Sequence, residues 1–124
     1  MKLAIPVKMN KENPAIAPLF GKAKWFAIVE EDKINITPNS QSGGRAVIEL
    51  FHEMKIEVLL IQEMGQTPYQ QVKEHGTIAL YHTGFERILL NDILEKFKKN
   101  DLKLLDDTNI DEIIKHHEKR HPSH

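Results

Sequence analysis

Three glycine-bearing loops contain the residues of this chain that are best suited to bind a small charged group. Each loop lies where an extended segment meets a helical one, so we expect the three to gather at one edge of a sheet. Backbone N–H groups at helix N-termini, close approach at glycine and nearby cations all complement an anion. The predicted binding residues are Phe20, Gly21, Lys22, Gly43, Gly44, Arg45, Met64, Gly65, Gln66 and His82. The alternative is that these glycines only form tight turns and the cationic side chains are only solvated.

Histidines are the side chains with the best metal-binding chemistry here, because the chain has no cysteine. His82 ends a predicted strand near the loops, where a neutral imidazole can ligate a metal, or where a polar side chain can simply face water. His117 and His121 are spaced i, i+4, which suits a divalent metal if a helix continues that far. The favoured interpretation of this pair is a solvated tail that binds nickel or zinc weakly.

Composition excludes several classes of function. Lys plus Arg (17) nearly balances Asp plus Glu (18), so the chain lacks the basic excess of a nucleic-acid or membrane-surface binder. No stretch of about 18 apolar residues is present, which predicts a cytoplasmic protein without a membrane span. Without cysteine, no cluster can be ligated by thiolates.

Catalysis has little support in the sequence. A two-magnesium nuclease needs carboxylates on its central strand, but the first apolar segment, residues 3–7, contains none. A phosphate-binding Walker sequence, a Gly-x-Gly-x-x-Gly motif and a Ser-His-Asp arrangement are also missing. We therefore predict that the protein is not an enzyme.

Hydrophobic periodicity predicts the elements that position these loops. Extended apolar segments alternate with segments of helical spacing, which is typical of an α/β domain with helical crossovers between parallel strands. Strands are predicted at residues 3–7, 25–30, 33–37, 57–62 and 77–82, and helices at about 45–55, 67–75, 88–98 and 109–118. The prediction is a single three-layer domain with a mixed five-stranded, ribonuclease-H-like sheet and a central first strand.

The chain divides at about residue 100. Residues 1–100 are predicted to form the cofactor-binding α/β domain, and residues 101–124 a C-terminal helical extension with a His-rich tail. Thr108 and Asp111 resemble a capping box before the last helix. The tail from His116 onward is expected to be frayed.

Four sequence features together resemble the dinitrogenase iron–molybdenum cofactor biosynthesis family. They are the N-terminal Lys-Leu-Ala-Ile-Pro-Val, Phe20-Gly21-Lys22-Ala23 before a strand, Gly43-Gly44 opening a helix, and Met64-Gly65 followed by Tyr69. The resemblance spans roughly residues 1–98. It implies a ribonuclease-H-like fold and non-covalent binding of metal–sulfur clusters or their precursors.

This chain departs from the family pattern at two loops. Ser40-Gln41-Ser42 stands where members often carry a histidine before the glycine loop. Glu63 stands directly before Met64, in place of a glycine. A carboxylate at that position is expected to repel an anionic cluster.

The sequence thus predicts a carrier of an anionic metal–sulfur cofactor or its precursor, of the iron–molybdenum type. Its partners would be that iron- or molybdenum-containing cluster, or an oxyanion, and cofactor-assembly proteins, with no nucleic acid and no membrane. The alternative is a regulatory or protein-interaction domain of the same fold that binds no metal cluster.

Overall fold

The structure of this 124-residue chain is a computed structural model, and it describes residues 1–120. The strands are β1 (Lys2–Val7), β2 (Trp25–Glu30), β3 (Lys33–Pro38), β4 (Val58–Ile61), β5 (Ala79–His82) and β6 (Lys103–Leu105). The α-helices are α1 (Gly44–Glu53), α2 (Gln66–His75), α3 (Leu90–Lys98) and α4 (Ile110–Arg120), and Phe20–Lys22 forms one 3-10 turn.

The strands form one mixed sheet in the order β3-β2-β1-β4-β5-β6. β4 pairs in parallel with β1 and with β5, whereas the other neighbours are antiparallel. The predicted mixed α/β fold is confirmed, and so is the central first strand between the hairpin and the crossover strands. The ribonuclease-H-like assignment stays a prediction.

The predicted count of five strands is wrong, because β6 adds a sixth at the edge beside β5. This strand has three residues, and such a short segment shows no period that separates it from a loop. It lies in the C-terminal extension, so that extension is not only helical.

Both faces of the sheet are covered, and the central strands β1 and β4 are apolar at every position except Lys2 at the start of β1. In β1, Ala4 belongs to one core, whereas Leu3 and Ile5 belong to the core on the opposite face. β4 alternates in the same way, with Leu59 in the first core and Leu60 in the second. α1 and α2 cover the first face and α3 covers the second. Strands buried on both faces have no side chain left for a ligand, so binding is confined to their ends.

The C-terminal extension packs into the first core. Leu105, Ile110 and Ile113 are buried there, at 6%, 3% and 3% exposure. A turn precedes α4, in which Asp106 accepts hydrogen bonds from Thr108 and Asn109 accepts one from the backbone N–H of Asp106. The predicted capping box at Thr108 and Asp111 is therefore replaced by an Asp106–Asn109 turn.

The helix continues past the point where fraying is expected. α4 includes His116 and His117 and extends to Arg120, so the expectation of a frayed tail is wrong for residues 116–120. Packing of Ile110 and Ile113 in the core stabilises this helix beyond what its sequence alone predicts. His121 lies outside the described residues. Within residues 1–120, no helix is both long and apolar enough to cross a membrane.

The packing of α4 can be tested by truncating one of its core side chains. Ile113→Ala should lower the free energy of unfolding by about 2–4 kcal/mol, because the change leaves a cavity in the shared core. Ile34→Ala is the matched control, since Ile34 is 42% exposed on the edge strand β3. Urea denaturation of both variants gives the comparison. Equal losses would show that the extension is not part of the core.

Candidate binding site at the carboxyl edge of the sheet

All three glycine loops lie at one edge of the sheet. β1, β3, β4 and β5 point the same way and end there, while β2 begins there. The 3-10 turn precedes β2, the second loop connects β3 to α1, and the third connects β4 to α2. The predicted gathering of the loops is thus confirmed by the topology.

The loops touch one another at their glycines. A methyl group placed on Gly21 would lie 3.0 Å from the backbone nitrogen of Gly44. One placed on Gly44 would lie 2.9 Å from Cγ of Pro68, in the first turn of α2. Glycine at 21 and 44 therefore allows three backbone segments to approach more closely than residues with a Cβ would.

Two helices begin in this region without a side-chain cap. Gly43 is the N-cap of α1 and Gly65 is the N-cap of α2, and neither has a side chain to occupy the first N–H groups. Gly43 also has φ +94°, a left-handed value that favours glycine, and nothing lies within 4 Å of the position a Cβ would take. The surface beside Gly43 is thus open.

Cationic side chains flank this surface. Lys22 and Arg45 are both exposed. Arg45 also lines an open hollow of about 350 Å³ with Gln66 and Thr67 from the start of α2. Two helix N-termini with adjacent cations favour a negatively charged group.

Two of the predicted site residues are core residues. Phe20 and Met64 are fully buried at 0% exposure, and the ring of Phe20 packs against Phe26 and Phe51 at 5.8 and 6.2 Å. These side chains pack in the core next to the loops. Only the backbone of Phe20 and Met64 belongs to the loop region.

Glu63, directly before the third loop, contacts α4. Its side chain is completely buried, and its Oε2 lies 3.2 Å from Nδ1 of His116. A buried carboxylate needs such partners, because desolvation penalises an isolated charge. The expectation that Glu63 repels an anion stays a prediction.

His82 lies at the same edge, but its side chain is engaged. Its Nε2 lies 3.0 Å from the carbonyl oxygen of Gln62, so this nitrogen carries the proton and donates it. Burial lowers the pKa of His82 below its ordinary value of 6.5, while the Gln62 carbonyl acts in the opposite direction. The ring is therefore held neutral, with Phe85 packed edge-on at 4.6 Å.

The structure places His117 beside the third glycine loop, a position that the sequence did not predict. Its Nε2 lies 3.3 Å from the position of a Cβ on Gly65, so the imidazole borders the third loop. No group of three or more His, Cys, Asp or Glu side chains in the described part of the chain is arranged to hold a metal ion. His82 and His117 are therefore not members of such a group, and the predicted His117–His121 pair involves a residue outside the described ones. Periodicity predicted the last helix but not its docking, which depends on contacts distant in sequence.

Comparison with known proteins assigns the chain to a family. The profile of the family described as dinitrogenase iron-molybdenum cofactor matches residues 1–100. The chain belongs to this family. None of the curated proteins compared with it is a match. The family match ends before β6 and α4, so both elements are additions to the region that the family shares.

Solved structures show the same fold at low sequence identity. The apo orange protein from Desulfovibrio gigas is 16% identical, with a TM-score of 0.73 over 84% of this chain and 92% of that one. A Thermotoga protein provisionally assigned as NifB, solved by NMR, is 19% identical, with a TM-score of 0.70 over the same shares. At these identities the likeness establishes the fold alone.

The contact between the second and third loops predicts a stability effect. Gly44→Ala should lower the free energy of unfolding by about 1–3 kcal/mol, because the new methyl group overlaps the Pro68 ring. Gly65→Ala is the matched control. It should cost less, because the nearest atoms, those of the His117 ring, would lie 3.3 and 3.5 Å away and not 2.9 Å. Chemical denaturation measures both, and a Gly44→Ala variant as stable as the wild type would contradict the close approach.

The burial of His82 predicts a pH effect on stability. Because the folded-state pKa is depressed, the neutral ring's contribution is present above pH 6.5 and is lost as the pH falls through the folded-state value. The charged groups that influence it are Glu112, Lys103 and His116. His82→Gln should flatten the fall in unfolding free energy below pH 6.5. Parallel stability curves for the two proteins would contradict a depressed pKa.

Proposed function

We propose that the protein binds and carries an anionic metal–sulfur cofactor, or its precursor, of the iron–molybdenum type during cofactor assembly. The observation that carries the proposal is the pair of helix N-termini with glycine N-caps, at Gly43 and Gly65, beside the exposed Lys22 and Arg45. Membership of the iron–molybdenum cofactor family gives the class of cargo. The orange protein and NifB neighbours support only the fold.

The donors at this edge fit such a cargo. A metal–sulfur anion presents sulfide or oxide atoms on its surface, and these accept hydrogen bonds from backbone N–H groups and cationic side chains. Each charge-assisted hydrogen bond contributes about 1.5–3 kcal/mol, so a few offset the cost of association. Such binding is reversible and needs no cysteine, as a carrier requires.

We propose a non-enzymatic role in the cytoplasm, with cofactor-assembly proteins as donor and acceptor. β1 contains no carboxylate, and its side chains are used by the two cores. Binding and releasing a preformed metal–sulfur group requires only complementary hydrogen-bond donors at the sheet edge.

The competing function is an interaction domain that binds no cluster. The observation that favours it is α4, which covers the Gly65 end of the edge with His117 and pairs with Glu63 through His116. Anaerobic purification followed by iron, molybdenum and sulfide analysis separates the two functions. A cluster-carrying preparation supports the carrier, and a cluster-free one that also binds no anion supports the interaction domain.

Tetrathiomolybdate provides a direct test of the anion site. The double variant Lys22→Gln/Arg45→Gln should bind it about three- to tenfold more weakly at low salt, because the two exposed cations together contribute about 1 kcal/mol to the binding free energy. The difference should shrink at high salt through screening. Isothermal titration calorimetry and anion absorbance measure the affinity.

The matched control is Lys33→Gln/Lys96→Gln. It removes the same charge from exposed positions at the start of β3 and near the end of α3, away from the loops. If the control weakened binding as much as Lys22→Gln/Arg45→Gln, the effect would come from net charge. If the wild type bound none of molybdate, tetrathiomolybdate or a cluster, the carrier function would be wrong.

A further inference from the structure

The C-terminal helix α4 forms one wall of the candidate binding site. The imidazole of His117 is the side chain nearest to a Cβ position on Gly65, at 3.3 Å from Nε2 and 3.5 Å from Cδ2. The residue as a whole is half-buried. α4 lies beyond the family match, which ends at residue 100, so this wall is particular to the extension.

Packing and polar contacts fix the position of this wall. Ile110 and Ile113 anchor α4 in the core. The hydroxyl of Tyr69, on α2, donates a 2.6 Å hydrogen bond to Asp107 just before the helix, and Lys73 pairs with the same carboxylate at 3.0 Å. α2 and α4 are therefore tied together. Because Gly65 caps the start of α2, the tie also holds His117 against the glycine loop.

The neighbouring histidine contacts the buried carboxylate of Glu63. His116 lies 3.2 Å from the buried Glu63 carboxylate, and its other contact is the ring of Phe85, stacked at 4.0 Å. This contact gives the buried carboxylate a partner on α4. The two adjacent histidines thus have different surroundings. His116 contacts Glu63, and His117 borders the loop.

We propose that His117 is a binding residue of this site and donates a hydrogen bond from its imidazole N–H to a sulfide or oxide atom of the bound anion. The proposal deepens the carrier function and rests on it. The chemistry follows from the nearest groups, because the glycine N-caps of α1 and α2 and the exposed Lys22 and Arg45 are all complementary to an anion. An imidazole N–H adds one directional donor beside the N-terminus of α2. It also restricts the site to anions that fit between α4 and the loops.

Four proteins test the proposal: the full-length wild type, His117→Ala, His117→Gln and the control His52→Ala. His52 is also half-buried, but it lies near the end of α1 opposite the glycine loops and stacks on His75. His117→Ala should weaken tetrathiomolybdate binding about tenfold or more, the usual effect of losing a charge-assisted hydrogen bond. His117→Gln retains an N–H donor of similar reach and should stay within about threefold of the wild type. His52→Ala should not change the affinity.

A spectroscopic readout accompanies the affinities. In proton–nitrogen NMR spectra of the wild type, saturating tetrathiomolybdate should shift the signals of the Gly65 amide and the His117 ring nitrogens. The His52 ring signals should not move. If His117→Ala proved unable to fold, as judged by its thermal unfolding, the wild-type shifts and the His117→Gln affinity decide the question.

The possible failures are distinguishable. If the wild type binds the anion and His117→Ala binds equally well or more tightly, the ring is a bystander or an obstruction and this inference is wrong, while the carrier function stands. If His117→Gln loses as much as His117→Ala, or the His117 signals do not shift, the hydrogen-bond role is wrong. If the wild type binds no anion, the carrier function fails and this inference fails with it.

Discussion

Burial of the central strands on both faces is the constraint on which the rest of the structure depends. β1 and β4 alternate their side chains between two apolar cores, so none of these side chains is available for recognition. A ligand can therefore be met only at the ends of the strands. Since β1, β4 and β5 end at the same edge, the loops that follow them share one small region.

The close approach of the loops determines which residues can occupy that region. Gly21 lies against Gly44, and Gly44 lies against Pro68, with no room for a side chain between them. This packing brings the starts of α1 and α2 together, and their glycine N-caps leave the first N–H groups without side-chain partners. The packing that brings these loops together thus also produces a surface whose N–H groups suit a negatively charged group.

The C-terminal extension adds the imidazole of His117 to the border of this surface. The third loop is followed by α2, and α2 is tied to the turn before α4 through Tyr69 and Asp107. α4 then pairs its first histidine with Glu63 and places its second beside Gly65. A buried carboxylate that would disfavour an anion thereby becomes an anchor for the helix. The extension is part of the core and borders the candidate site, although it lies outside the region that defines the family.

The sequence by itself determined the alternation of strands and helices, the glycine loops and the family. These features are local, since burial on both faces requires continuous apolar segments and helix starts favour glycine and polar residues. It did not determine the sixth strand, because three residues show no period and β6 exists only through its pairing with β5. The sequence also did not show that the side chains of Phe20 and Met64 lie in the core, since an apolar residue beside a loop glycine can point either toward a ligand or into the core. Only the tertiary structure decided that choice, the partner of Glu63 and the place of His117, because each depends on a contact between residues far apart in the chain.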